Sequence, residues 1–257
     1  MSTHSTGNIP HTPHFPTDYD EYASTYRWAR FAVPWVLEPL QRAVDSSPRD
    51  GTILELGCGT ANYIIALSES NESRRLIGMD ISKPMIEQAH GRESRVRFMV
   101  GDAARAIPIR DAVLSVVFAV DVVHHIVDIE RFFSEAARTL RRDGVIVIVT
   151  DSAETLRDRS LTHFFPEILE IELQRYPTLD HLVHVAEHAG LRLDDSSRAD
   201  GYIEIDDDWI QKIEAKCSSG MRQLSPSQHE AGVARVREAR TRGEKWRSCY
   251  NTLWFSR

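Results

Sequence analysis

Acidic side chains recur at the ends of apolar runs in the first half of this sequence. Glu55 lies in "ILELGCGTAN" (residues 53–62), just ahead of a G-x-G pair, Gly57 and Gly59; Asp80 follows "LIGM", Asp102 falls in "VGDAA" and Asp121 in "FAVDVVHH". At the end of a second strand, an acid such as Asp80 can accept hydrogen bonds from both hydroxyls of a ribose. Asp102 is placed to meet an exocyclic amine. As a set, four acids in register repel a pyrophosphate and suit a cationic ligand. Each one alone serves equally well as a helix cap or a solvated strand end. The two glycines let the backbone approach a ligand closely, yet a dinucleotide fingerprint starting at Gly57 would need glycine at position 62, which is Asn62. His124 and His125 follow the fourth acid, with an intrinsic pKa suited to a general base. Neighbouring side chains point in different directions, so one of the two histidines is expected in a pocket.

These residues need a frame that brings four strand ends together. Short Val- and Ile-rich runs near 52–56, 76–80, 96–100, 114–120 and 145–150 read as strands, with helices from about Ala61, Lys83 and Ile129 between them. Helix-length connections between apolar strands imply right-handed crossovers and a parallel sheet buried on both faces. Ligands of such sheets bind beyond the strands' carboxyl ends. After Thr150 the alternation loosens. "LTHFFPEILEIELQRYP" has helical spacing between prolines and reads as a substrate-side insertion, with Phe164, Phe165 and Tyr176 as pocket candidates, although aromatics at that spacing more often form core. "LDHLVHVAEHAGL" predicts a helix closed by Gly190 and then a strand. Residues 207–242 predict charged helix, and "KWRSCYNTLWFS" a further strand.

The chain divides into three expected parts: a flexible, Ser-, Thr-, His- and Pro-rich tail over 1–17, N-terminal cap helices over 18–50, and one domain over 51–257 with insertions at about 151–178 and 207–243. Tyr19, Tyr22 and Tyr26 fall on one helical face after Asp18 as N-cap. A net charge of −7 argues against nucleic acid as the main partner. No apolar run is long enough to span a membrane, and the three cysteines are few and far apart. The expectation is a cytoplasmic protein with no metal site, since His4, His11 and His14 match no ligand spacing.

In their order and spacing, "ILELGCGTA", "LIGMDIS", "VGDAA" and "FAVDVVHHIVDIERFFSEAARTLRRDGVIVI" resemble the class I methyltransferases that use S-adenosylmethionine, in the branch acting on small molecules and quinone precursors. That resemblance implies a Rossmann-like, doubly wound α/β sheet of seven strands, mostly parallel with an antiparallel last strand. It implies Glu55, Gly57 and Gly59 around the methionine moiety, with Glu55 facing its ammonium directly or through water. Asp80 would hold the ribose, Ile81 and Met85 would flank the adenine, Asp102 would accept from the adenine amine and Ala103 would donate a backbone N–H. Asp121 would complete the cofactor set, and Tyr19 and Tyr26 would close over the cofactor carboxylate. The family's third glycine is Ala61 here, which would set the loop slightly farther from the cofactor. His125 is the candidate base and Tyr176 a second catalytic candidate. Two other readings share these motifs: breakage of another S–C bond, releasing methylthioadenosine, and a non-catalytic cofactor-binding module.

Overall fold

A computed structural model of the chain describes Ala23, residues 26–92 and residues 95–257. The expected tail, the Asp18 cap, Tyr19 and Tyr22 lie outside the described residues. Seven strands form one sheet in the order β3-β2-β1-β4-β5-β7-β6. They are β1 (Thr52–Leu56), β2 (Arg75–Asp80), β3 (Arg97–Val100), β4 (Leu114–Val120), β5 (Leu140–Thr150), β6 (Arg192–Glu204) and β7 (Lys245–Ser256). β1 to β5 pair in parallel, whereas β7 runs antiparallel between β5 and β6. Strand order reverses at β1, with β2 on one side and β4 on the other, so the carboxyl ends of these strands open a crevice there.

Alternate side chains of the central strands feed opposite faces of the sheet. On one face Leu54, Leu56, Val117 and Ile146 pack with Phe132 and Phe133 of α4 (Ile129–Thr139) and Leu182 of α8 (Leu179–His188). On the other, Ile53, Val116 and Phe118 pack with Leu40 of α1 (Pro34–Ser46) and Ile64 of α2 (Asn62–Ser70). Burial on both faces explains the uninterrupted apolar runs. The helices start where local chemistry directs. Ser82 caps α3 (Lys83–His90) by accepting from the Met85 N–H, and Asp128 caps α4 by accepting from the Arg131 N–H at 2.9 Å.

β5 starts at Leu140 instead of Val145, because the chain passes from α4 straight into the strand through a register shift against β4. Gly144 closes that shift: a Cβ there would sit 2.8 Å from the Leu140 side chain and 3.0 Å from the Leu114 carbonyl oxygen. Beyond β5 the chain forms α5 (Ala153–Asp158), α6 (Ser160–Phe164) and α7 (Glu167–Arg175), the last two separated at Pro166. With α9 (Asp207–Glu214) and α10 (Pro226–Thr241), they build a third core containing Phe164, Phe165, Ile168, Trp209, Ile213 and Trp246. This layer covers the carboxyl side of the sheet. Phe164 and Phe165 belong to its core and not to a pocket wall.

Candidate active site

A cavity of about 450 Å³ lies beyond the ends of β1, β2, β3 and β4. The glycine loop contributes Gly57 and Gly59, the turn after β2 contributes Asp80 and Ile81, and α3 contributes Met85. Asp102 and Ala103 follow β3; Asp121 and His125 follow β4; Tyr26 closes one side. Both glycines have left-handed backbones, with φ of 67° and 52°. A Cβ on Gly57 would come within 2.5 Å of Val122, so this glycine is required by packing whether or not a ligand is bound. A Cβ on Gly59 would meet the Tyr26 ring at 3.4 Å.

The acids are tied to the backbone around the cavity. Asp80 Oδ2 accepts from the Gly59 N–H at 2.7 Å and Oδ1 from the Ser82 N–H at 2.9 Å, which locks the glycine loop to the end of β2. A carboxylate has about four lone-pair sites, so acceptor capacity remains for a diol. Asp102 Oδ1 accepts from the Ala104 N–H at 2.9 Å in a local turn. The apolar rim is open: Ile81 is 67% exposed and Val127 75%. Two large aliphatic side chains left to solvent on one cavity's rim suit a flat ring that would cover them.

Glu55 is placed differently. It lies in β1, is buried, and its Oε2 accepts from the Ile64 N–H at 3.0 Å. That bond caps α2, whose N-cap Ala61 offers no side-chain acceptor. Burial pushes the Glu55 carboxyl well above its usual range, the Ile64 bond opposes this, and nearby Asp80 adds to it. Ala61 itself has φ 66°, the conformation for which glycine is the usual choice. Its methyl is fully buried in the α1–α2 core and is absent from the walls of the cavity. The extra carbon therefore faces the α1–α2 core and not the cavity.

A second cavity, about 90 Å³, adjoins the first and shares Tyr26, Gly57 and Val120 with it. Glu55, Arg30, Arg159 and Tyr250 are among its walls. Beneath it runs a buried ionic network. Asp121, with a left-handed φ of 57°, receives the Tyr176 hydroxyl at 2.5 Å on Oδ1 and Arg30 Nη2 at 3.1 Å on Oδ2. Arg159 Nη1 meets Asp151 at 2.5 Å and its Nη2 meets Glu172 at 3.3 Å; Arg175 also pairs with Glu172 at 3.3 Å.

Burial opposes ionisation of Asp121, but His124, Arg30 and the Tyr176 hydroxyl overcome it and hold the carboxyl well below its usual range. Burial pushes the Tyr176 phenol well above 10, with Asp121 adding to the rise. Asp151 is pushed up to about 7 by burial, against the pull of Arg159. The two histidine rings lie 4.0 Å apart between centroids. His125 ends a 3-10 turn (Val123–His125) and lines the large cavity, whereas His124 stacks on the Tyr176 ring at 4.0 Å between centroids. Burial, helped by His125, pushes the His124 imidazole well below its usual range, against the pull of Asp121.

The sequence reading named Asp121 and Tyr176 separately and did not place them in contact. It also missed Arg30, Arg159, Glu172 and Arg175. Asp151 had a legible signal, as a fifth acid directly after an apolar strand. The arginines had none, since an Arg in an amphipathic helix ordinarily reads as solvated.

Residues 54–148 match the family model described as a methyltransferase domain. A probable S-adenosylmethionine-dependent methyltransferase of Mycolicibacterium smegmatis is 29% identical over 147 residues, covering 56% of this chain and 53% of that protein. A malonyl-[acyl-carrier protein] O-methyltransferase of Geobacter sulfurreducens is 25% identical over 183 residues, covering 68% and 66%. The chain spans about half the length of the curated relatives it matches. Among solved structures, a putative methyltransferase from an antibiotic biosynthesis pathway of Anabaena variabilis superposes with a TM-score of 0.70 at 19% identity, over 90% of this chain and all of that one, a likeness of fold. Residues 54–148 thus form a methyltransferase domain, and the chain is similar to S-adenosylmethionine-dependent methyltransferases.

Proposed function

We propose that this protein transfers a methyl group from S-adenosylmethionine to an oxygen, nitrogen or carbon atom of a small molecule. The observation that carries the reading is the pairing of two cavities. A large one presents Asp80 and Asp102 beyond adjacent strands next to two left-handed glycines, and a smaller one meets it at Tyr26, Gly57 and Val120. Bound cofactor supplies a sulfonium whose methyl is already activated for transfer. The chain's own residues then have to orient the acceptor and exclude water.

In this reading Asp80 holds the ribose diol, and Ile81 and Met85 flank the adenine. Asp102 accepts from the adenine amine while the Ala103 N–H donates to the ring. Gly57, Gly59 and Tyr26 enclose the methionine end. Tyr19, the other tyrosine expected at the cofactor, lies outside the described residues. Glu55 acts through the loop it fixes to α2, and Asp121 through the Arg30 and Tyr176 that it holds beside the junction. Tyr176 is then a positioning residue, because burial and its bond to Asp121 keep the phenol protonated. His125 takes a proton from the acceptor. All three cysteines are free and buried, in keeping with a reducing cytoplasm, and among the described residues no helix is long and apolar enough to cross a membrane.

Calorimetric titration with S-adenosylhomocysteine, followed by incubation of S-adenosylmethionine with candidate acceptors and identification of the nucleoside product, tests the assignment. Adenosylhomocysteine formed together with a methylated acceptor is expected, whereas methylthioadenosine would overturn it in favour of cleavage at another S–C bond. For His125, the Ala variant should bind cofactor normally and turn over slowly. Weakened binding with unchanged turnover per bound complex would remove it as the base.

A further inference from the structure

The smaller cavity has hydrogen-bond donors that its own residues leave unanswered. Arg30, Arg159 and Arg247 line it, and the carboxyl on its wall, Glu55, is biased by burial toward the neutral form. Arg30 is matched by Asp121, the terminal nitrogens of Arg159 by Asp151 and Glu172, and those of Arg247 by Asp200 at 3.0 Å and Asp158 at 3.8 Å. Three buried donors have no hydrogen-bond partner among the described residues: Arg159 Nε, Arg247 Nε and Trp209 Nε1. Guanidinium and indole nitrogens only donate, so no rotation or tautomer of these groups removes the imbalance.

The three side chains belong to one corner of the fold. The Arg247 N–H donates to Ser160 Oγ at 2.7 Å, next in the chain to Arg159, and the Trp209 and Trp246 rings meet at 5.2 Å just before Arg247. Arg159 and Trp209 are each only 8% exposed. The carboxylates nearby answer other groups: Asp121 receives Tyr176 and Arg30, Glu172 receives Arg159 and Arg175, and Asp151 receives Arg159 Nη1 on Oδ2 while its Oδ1 has no partner among the described residues. The other walls include the aromatic rings of Tyr63, Trp246 and Tyr250.

We infer that the methyl acceptor is an organic anion, an aromatic or apolar body carrying a carboxylate or phosphate that Arg159, Arg247 and Trp209 receive. The inference rests on the methyltransferase reading for the word acceptor, while the anion preference of the cavity stands on its own donors. A cationic amine brings only donors and would leave the three N–H groups unanswered. A neutral molecule would leave N–H groups poorly matched, since hydrogen bonds to a charged acceptor are the stronger kind.

Binding of benzoate, phenyl phosphate, benzamide and benzylammonium to the full chain is measured by calorimetry, with and without S-adenosylhomocysteine. At least one anion is expected to bind about tenfold or more tighter than benzamide, with benzylammonium weakest. The tighter of the two anions identifies the group as carboxylate or phosphate. The preference should shrink in Arg159→Gln and, in case that buried variant fails to fold, in the more exposed Arg247→Gln. Trp209→Phe, which keeps a ring and removes the N–H, should lower affinity for the anion more than for benzamide. Equal binding of anion and amide, tighter binding of the ammonium, failure of both anions to bind, or a preference untouched by Arg247→Gln and Trp209→Phe would each overturn the inference. Failure of S-adenosylhomocysteine to bind would instead overturn the methyltransferase reading, leaving the anion preference to be judged from the titrations without it.

Discussion

The two cavities are built by opposite strategies. The larger draws nearly all its walls from residues 57–127, where each strand ends in a short turn carrying one or two functional side chains. Its polar groups are held by backbone amides: Asp102 by the Ala104 N–H, and Asp80 by the Ser82 and Gly59 N–H groups. The smaller collects residues from 26 to 250, and its charged groups are held by other charged side chains, as Arg30 is by Asp121 and Arg159 by Asp151 and Glu172. A site made of strand-end turns is as stable as the sheet beneath it. One made of interlocked buried ions depends on every member being present.

That contrast can be broken most forcefully at Arg159. Replacing it with Met strands Asp151 in the interior and leaves Glu172 with Arg175 alone, and should cost about 3–5 kcal/mol of stability. The denaturant midpoint should fall steeply, while S-adenosylhomocysteine affinity of the folded protein changes little. The reverse dissociation is expected for Asp80→Ala, which removes the carboxylate proposed to hold the ribose. Cofactor binding should weaken by about 100-fold, from the loss of two hydrogen bonds to a charged group, with a much smaller effect on the melting temperature. Titration calorimetry and a thermal melt on the same samples separate the two.

A pH series sharpens the comparison further. The folded-state pKa of Asp151, about 7, lies above its unfolded value, so the native state binds more protons than the unfolded chain between those two values. Stability from this group is full at low pH and is lost as pH rises toward 7, by at most about 1.4 kcal/mol per pH unit. Asp151→Asn should flatten that decline between pH 5 and 7. A slope would remain from Glu55, which is raised in the same sense. Unfolding by urea at several pH values reads it directly, and an unchanged slope in the variant would remove Asp151 as the source.

Smaller effects complete the series. Tyr176→Phe deprives Asp121 of one donor but leaves Arg30, so about 1–2 kcal/mol of stability should be lost. Ala61→Gly balances relief of a left-handed alanine, worth about 1–2 kcal/mol, against a lost buried methyl and a floppier unfolded chain. The net should fall within about 1 kcal/mol of zero, with cofactor affinity unaltered because the methyl points into the core of α1 and α2.

Much of the sheet was legible because its signals are local. Apolar runs mark β1 and β4 at their observed limits, and the residues just beyond them mark the crevice. The start of β5 was not legible, since "LRRDG" has the composition of a turn and is extended only because Gly144 lets the chain pass against Leu140 and Leu114. Glu55 was recognised as important, but its position next to two glycines suggested a ligand, while the structure gives its Oε2 to the amide of Ile64. The reason is geometric: after a left-handed Ala61 the first turn of α2 has no capping side chain of its own, and the nearest buried acceptor comes from the preceding strand.

The sequence by itself determined the order of strands and helices, the glycine loop, and the acids and the histidine pair that stand at strand ends, because hydrophobic period and turn chemistry act over a few residues. Only the tertiary structure decided which carboxylates are already engaged, that Tyr176 reaches Asp121, and that Arg30, Arg159 and Arg247 converge on one cavity. Those contacts join residues separated by tens of positions. They exist because burial of charge forces each group to find a partner, and no local pattern encodes which partner the folded chain will bring.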